Sequence, residues 1–517
     1  MRVLLVYPLF PKSFWSFEKN LELLGYKALL PPLSLITVAA LLPQSWGFRL
    51  KDRNIGDQIT AADWDWADLV AVSGMIVQKP DMLALIQEAK QRGKAVVAGG
   101  PYATSVSEEV LAAGADFLVL DEGEITLPLF VAALEQGATE GIFRSDGQRP
   151  ELTLTPVPRY DLLTLDAYGQ MAVQFSRGCP FQCEFCDIIV LYGRVPRTKK
   201  PAQVKAELQA LYDLGWRRMV FIVDDNFIGN KGNVKNLLQE IAPWMKERNY
   251  PFGLITEASV DLAEEDELLE LMVATNFRAV FLGIETPDID SLLLTKKHQN
   301  MRRPLVETVQ KINQAGLRIM AGLIIGFDQE EAGAGQRIVD FVEKTSIPLP
   351  LVTMLQALPN TALWHRLEKE GRLLQELEGD INQTTLSNFI PTRPIEEIAE
   401  EYIACFWHLY EPKRYLQRAY QHYVQMRPNP RGGKKPWQLQ WVEVRALLIV
   451  CWRQGIQRDT RIQFWRQLGA LIWKNPKVWP NYLVTCAMLE HFIDYRQVSR
   501  EEIEAQLARF PGQQTIK

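Results

Sequence analysis

Histidine is almost missing from this 517-residue chain: there are five, and none before His298. The first half therefore has no imidazole to use as an acid, a base or a metal ligand. Cysteine is nearly as scarce, with six, too few for the disulfide framework of a secreted protein. Long apolar runs are lacking too, and nothing approaches the ~18 residues that a membrane-spanning helix needs. The opening MRVLLVYPLF has one charge and no small-residue cleavage site behind its apolar run, so it reads as a first core strand and not as a signal peptide. These absences point to a cytoplasmic protein whose contact with a membrane, if it has one, is peripheral.

Apolar residues make up 47% and charged residues 23%, the ordinary balance of a globular protein. The length suggests roughly three domains of about 100–200 residues. Through residue 145, short apolar runs (VLLVY, LVAVSGM, AVVAGG, DFLVL) alternate with helical patterns such as LSLITVAALL and DMLALIQEAKQRG. That pitch predicts an α/β fold, a doubly wound, flavodoxin-like parallel sheet over residues 1–145. The proline-marked stretch 146–168 reads as a linker. A second series follows, with strands MAVQFS, MVFIVDD, FGLITEA, AVFLGIE, IMAGLIIGF and PLVTMLQAL. Six strands with helices between them predict a partial (β/α)6 TIM-like barrel over residues 169–370, with its chemistry at the carboxyl ends of the strands. Residues 371–517 turn helical and form a C-terminal helical domain.

The three clustered cysteines are Cys179, Cys183 and Cys186, in CPFQCEFC directly after the first barrel strand. Spacings of three and two intervening residues let one short loop wrap three thiolates around an iron–sulfur cluster. Structural zinc normally takes four ligands in paired short spacings, and neither a second pair nor a nearby histidine is present. Three ligands on a [4Fe–4S] cluster leave one iron open to a substrate, as catalytic metal sites keep an open position. Phe185, just before the third cysteine, can shield such a cluster and lie against an adenine. Cys405, Cys451 and Cys486 are scattered and read as small buried apolar residues.

The segment FSRGCPFQCEFCDI resembles the defining motif of the radical S-adenosylmethionine superfamily. The resemblance covers roughly residues 165–370 and implies that S-adenosylmethionine is cleaved to a 5′-deoxyadenosyl radical that abstracts hydrogen. It also implies cosubstrate contacts at Asp224, Asp225 and Asn226 after the second strand, at Glu257 after the third, and at Gly322 and Gly326 around the fifth. Each of these has a plainer reading: strand-end acids cap helices, and strand glycines relieve packing. Glu285, closing the fourth strand, is a similar case.

A doubly wound domain ahead of such a barrel resembles the cobalamin-binding subfamily. The matching positions are Ser73, Gly74, Gly99, Gly100, Glu122 and Gly123, each at a predicted strand end. One departure stands out: DRNIG at Asp52–Gly56 places Asn54 where many cobalamin domains carry a cobalt-ligating histidine. Methylthiotransferases are excluded, because they need cysteines in the N-terminal domain and none precedes Cys179.

LYGRVPRTK after the cysteine loop, with TLSNFIPTRP and EEYIACFWHLYEPKRYLQRAY in the tail, resembles the cobalamin-dependent radical group that includes hopanoid C-2 methylases. The resemblance implies a methyltransferase acting on an unactivated carbon of a hopanoid-like lipid. Its cofactors would be a [4Fe–4S] cluster, S-adenosylmethionine and cobalamin, and a flavodoxin or ferredoxin would donate electrons. Two rivals stay open: a non-methylating cyclase or tetrapyrrole-modifying enzyme with the same cofactors, and a cobalamin-binding sensor or scaffold. Residues 411–500 hold 16 Lys/Arg against 5 Asp/Glu, and six of the fourteen tryptophans. They suit a lipid or membrane surface, or a helical domain whose tryptophans pack inward and whose arginines pair with acids elsewhere. Nucleic acid is not an expected partner, since no recognition module accompanies the basic residues.

Overall fold

The structure, a computed structural model, describes residues 1–374, 383–428 and 441–510. Part of the basic tryptophan-bearing stretch, residues 429–440, lies outside them. The chain divides into two compact units: residues 1–12, 26–181 and 186–256 form the first, and residues 13–25, 182–185 and 257–517 the second.

The first unit opens with a parallel sheet of β1 (Arg2–Tyr7), β2 (Gly47–Asp52), β3 (Leu69–Ser73), β4 (Ala95–Gly99), β5 (Phe117–Val119) and β6 (Gly141–Phe143), in the order β2-β1-β3-β4-β5-β6. Because side chains alternate across a strand, each strand serves two cores. Leu4, Val6, Val70, Val72 and Val96 pack on one face against Met82, Leu85 and Ile86 of the helix Lys79–Gln91. Val3, Leu5, Leu69, Ala71 and Val97 pack on the other, against Leu35 and Ala39 of Leu33–Leu41 and Leu127 and Phe130 of Gly123–Glu135. The sheet is therefore doubly wound. The edge strands β2 and β6 add to what the apolar runs reveal; β2, GFRLKD, is too polar to announce itself.

Six further strands carry the second βα series. β7 (Gln170–Val173) is followed by a short antiparallel pair, β8 (Ser176–Arg177) with β9 (Arg197–Thr198), and then by β10 (Met219–Ile222) and β11 (Gly253–Ala258). β10 pairs in parallel with both β7 and β11. In the second unit, β12 (Phe277–Glu285), β13 (Arg318–Ile325) and β14 (Leu349–Met354) pair in parallel in chain order.

The second unit ends in helices Ile395–Leu409, Pro412–Gln425, Trp441–Trp452, Arg461–Lys474 and Trp479–Leu507. Their core takes in residues from near the N-terminus. Phe14 is fully buried, with its ring 4.7 Å from Phe492 and 6.1 Å from Tyr410, and its carbonyl meets His491 Nε2 at 3.1 Å. Phe17 packs on His491 and Phe492.

Candidate functional site

The cysteine loop starts from a rigid base. Asp224, fully buried after β10, accepts from the backbone N–H groups of Phe175 (2.7 Å) and Ser176 (2.8 Å) and from the Ser176 hydroxyl (2.7 Å). Burial pushes its carboxyl up to about 6, against the opposing pull of these bonds. Asp225 is pushed to about 7, by burial first and then by its acidic neighbours Asp224 and Asp187. Both oxygens of Asp224 are thus engaged in fixing the strand that launches the loop. Gly178 turns the chain into the loop with φ 93°. A Cβ there would stand 2.9 Å from Gly193 O and 3.0 Å from Val195 O. Gly178→Ala should therefore shift the loop, and iron bound after anaerobic reconstitution should fall several-fold while the far-UV dichroism is kept; full iron occupancy would refute this.

None of the six cysteines is disulfide-bonded. Cys179 takes a backbone bond to Gly193 O (3.2 Å), and the Asn226 amide donates to its sulfur at 3.8 Å. In the second unit the Gln299 amide makes the equivalent contact to Cys183, also at 3.8 Å. Side-chain amides aimed at sulfur suit thiolates that ligate iron, since N–H···S bonds stabilise the reduced state of a cluster. Asn226→Leu is accordingly expected to move the midpoint potential of a reconstituted cluster to more negative values in an anaerobic redox titration, with iron content preserved. Gln299 carried no signal in the sequence; it sits 116 residues past Cys183 on a short 3-10 turn, His298–Met301. Among the described residues, no three His, Cys, Asp or Glu side chains are gathered closely enough to hold a single metal ion.

Residues 182–185, in the middle of the loop, belong to the second unit. Glu184 pairs with Arg366 at 2.8 Å and takes a backbone bond from Leu363. Phe185 packs against Phe327 in an apolar cluster with Leu355, Leu363 and Phe389. On the same unit, Glu285 ends β12 at a bulge with φ 65°, and its Oε1 lies 2.5 Å from Lys297 Nζ in a pair largely withdrawn from solvent. Gly283 makes room for that pair, because a Cβ would fall 2.6 Å from Glu285 Oε1. Gly322, opposite Gly283 in the β12–β13 register, makes room for the Phe281 ring, 3.0 Å from where its Cβ would be. Gly326 has φ 98° and donates to Glu330 Oε2 at 2.8 Å. Glu257 is partly exposed at the end of β11.

The N-terminal sheet reverses its winding between β1 and β3, and open α/β sheets bind ligands at the carboxyl edge of that switch point. There Leu9, just past β1, and Met75, just past β3, are 45% and 50% exposed, an apolar surface fit for a flat macrocycle. The neighbouring glycines are tightly used. A Cβ on Gly100 would lie 2.4 Å from Ser73 Oγ, one on Gly99 2.7 Å from Val119 O, one on Gly74 3.1 Å from Met82 Sδ, and one on Gly123 3.0 Å from Leu127. Asn54 is fully engaged: it donates to Pro8 O (3.0 Å) and Asp52 Oδ1 (2.8 Å) and accepts from Phe10 N–H (2.8 Å).

Glu122 sits inside a cage of arginines. Arg177 and Arg197 each reach it at 2.8 Å and Arg149 at 3.6 Å, while Arg177 also holds Glu124 at 2.9 Å. Arg149 and Arg197 bind backbone carbonyls of Val190 and Tyr192 as well. The strand-end acids of the first sheet are thereby tied to the chain on either side of the cysteine loop. Burial would push Glu124 up, but the Arg177 charge and hydrogen bonds hold it below the usual range.

A doubly wound sheet, then βα strands with a three-thiol loop after the first, define a radical S-adenosylmethionine enzyme preceded by a B12-binding type of domain. The sequence matches the B12 binding domain over residues 24–131, the Radical SAM superfamily over residues 173–342 and a domain of unknown function (DUF4070) over residues 361–505. It is 61% identical over 515 residues to an uncharacterized methyltransferase of Synechocystis sp., covering 99% of this chain and 95% of that one. It is 34% identical over 519 residues to the hopanoid C-2 methylase of Rhodopseudomonas palustris, covering 98% and 95%. With the bacteriochlorophyllide d C-12(1)-methyltransferase of Chlorobaculum tepidum it shares 23% over 66% of this chain and 74% of that one. The chain belongs to the family of B12-binding radical SAM methyltransferases. Two solved structures share the fold. The methyltransferase TsrM from Kitasatospora setae, with cobalamin and a [4Fe–4S] cluster bound, has a TM-score of 0.60 at 16% identity and covers 77% of this chain and 84% of that chain. The radical enzyme OxsB, with aqua-cobalamin and S-adenosylmethionine bound, has a TM-score of 0.59 at 15% identity, covering 98% and 81%.

Proposed function

We propose that this chain is a cobalamin-dependent radical S-adenosylmethionine methyltransferase that methylates an unactivated carbon of a hopanoid-like polycyclic lipid. The observation that carries the substrate class is the near full-length similarity to the hopanoid C-2 methylase, which takes in the C-terminal helical region; the chlorin methyltransferase matches only part of the chain. In this reading Cys179, Cys183 and Cys186 hold the cluster, with Asn226 and Gln299 donating to two of the sulfurs. Asp224 and Gly178 set the loop's exit from β7. Leu9 and Met75 at the β1/β3 switch point would receive the apolar face of the corrin, while Asn54 is committed to hydrogen bonds within its own loop. When bound, the cluster supplies the electron that splits S-adenosylmethionine and the corrin carries the methyl group that the substrate carbon receives. A flavodoxin or ferredoxin delivers the electron. The domain reading that goes with this is a cobalamin domain over 1–145, a linker over 146–168, a radical core over 169–370 and a helical domain over 371–517.

Anaerobic enzyme reconstituted with iron, sulfide and cobalamin should release 5′-deoxyadenosine and S-adenosylhomocysteine together, and a hopanoid substrate should gain one methyl group by mass spectrometry. Release of 5′-deoxyadenosine alone would favour a cyclase or ring-modifying enzyme and sink this reading.

A further inference from the structure

The C-terminal helices carry an apolar surface that the fold leaves uncovered. Helix Trp441–Trp452 buries Ala446 and Val450, yet Trp441 and Leu448, on the opposite stripe, are 76% and 62% exposed, and Trp452 continues that stripe. Helix Arg461–Lys474 repeats the pattern: Phe464, Leu468 and Leu471 face inward, while Ile462 and Trp473, 69% and 81% exposed, face out with Trp465 and Ile472. Residues Arg453–Gln457 turn the chain between the two helices. There the Trp465 indole lies on Gly455, 2.7 Å from where a Cβ would be, and donates to Gly455 O at 2.9 Å. The tryptophans on these two helices therefore face outward and do not fill a core.

Charge says what covers this face. Arg445, Arg461, Arg466, Lys474 and Lys477 are exposed alongside the apolar stripes, and among the described residues none of them makes an ion pair with an acid. Residues 411–500 carry a net charge of about +11, which leaves about −16 for the rest of the chain. Indoles and isoleucines bordered by arginines are the composition of helices that lie in a bilayer interface, apolar side among acyl chains and cations among headgroups. No helix among the described residues is long and apolar enough to cross a membrane. We propose that the outward face of helices Trp441–Trp452 and Arg461–Lys474 docks this protein onto an anionic lipid bilayer. The inference goes beyond the methyl-transfer reading and does not depend on it.

The test is flotation of the full chain with vesicles of phosphatidylcholine, with and without phosphatidylglycerol, together with tryptophan emission. Binding should be at least about tenfold tighter to the anionic vesicles, should weaken with added salt, and should come with a blue shift of the emission. Arg461→Gln/Arg466→Gln/Lys474→Gln should lose about a hundredfold in affinity for them, since each interfacial cation contributes about fivefold. Ile462→Ser/Trp473→Ser should abolish binding. All five positions are exposed, so thermal melting of both variants should match the parent. Absence of vesicle binding, or binding that neither variant alters, overturns the proposal. So does a native mass showing that a second copy of the chain covers this face, with Ile462→Ser/Trp473→Ser restoring the monomer.

Discussion

Cys183→Ala should abolish formation of both S-adenosylmethionine products, by about a thousandfold or more, a loss of over about 4 kcal/mol in transition-state terms. The expectation rests on the chemistry of the lost ligand: alanine offers no atom to the iron, and oxygen, amide and amine side chains do not ligate it as a thiolate does. Iron and sulfide bound per chain should collapse while the fold persists, because the loop around Cys183 is also held by Glu184–Arg366 and the Phe185 cluster. Cys405→Ala is the control: that thiol is buried in the helical region, where burial pushes its pKa upward, and its loss should leave iron content intact. A cobalamin-dependent function that survives Cys183→Ala, with neither product formed by the parent, would instead favour a cobalamin-binding sensor or scaffold.

Arg177→Met should cost about 3–5 kcal/mol of stability at pH 7–8, because it strands Glu124, and in part Glu122, as buried carboxylates without their cation. The sign with pH is fixed by Glu124, whose folded pKa lies below its ordinary value. A depressed carboxylate contributes stability that is present above the unfolded pKa and is lost as pH falls through the folded one. The gap between parent and variant in urea midpoint should therefore be widest near neutrality and close below about pH 4. A gap that widened in acid would show that the arginine acts otherwise.

The linear features of this protein could be read directly. The βα pitch gave way to two strand series because each buried strand is a near-continuous apolar run, and the cysteine spacing is itself the loop geometry. What stayed hidden was tertiary. Glu122 reads as a strand-end group open to a ligand; its enclosure depends on Arg177 and Arg197, 55 and 75 residues on, which no local pattern links to it. The close packing at Gly99 and Gly100, where a Cβ would meet Val119 O and Ser73 Oγ, is likewise set by residues distant in the chain. The tryptophans at 441, 452, 465 and 473 fit an inward-packed helical domain equally well by periodicity, and only the solvent exposure of the folded helices separates the alternatives.

The burial of Phe14 among Tyr410, Phe492 and His491 has a temporal side. Its partner His491 is 477 residues downstream, so at about 5–20 residues per second about 20–100 s pass before that helix is made. Throughout that interval Phe14 and Phe17 lack the rings of the last helix that cover them in the folded protein, and stay open to capture by other apolar surfaces. Biogenesis of this enzyme is thus a race between capture of its earliest aromatics and synthesis of its latest.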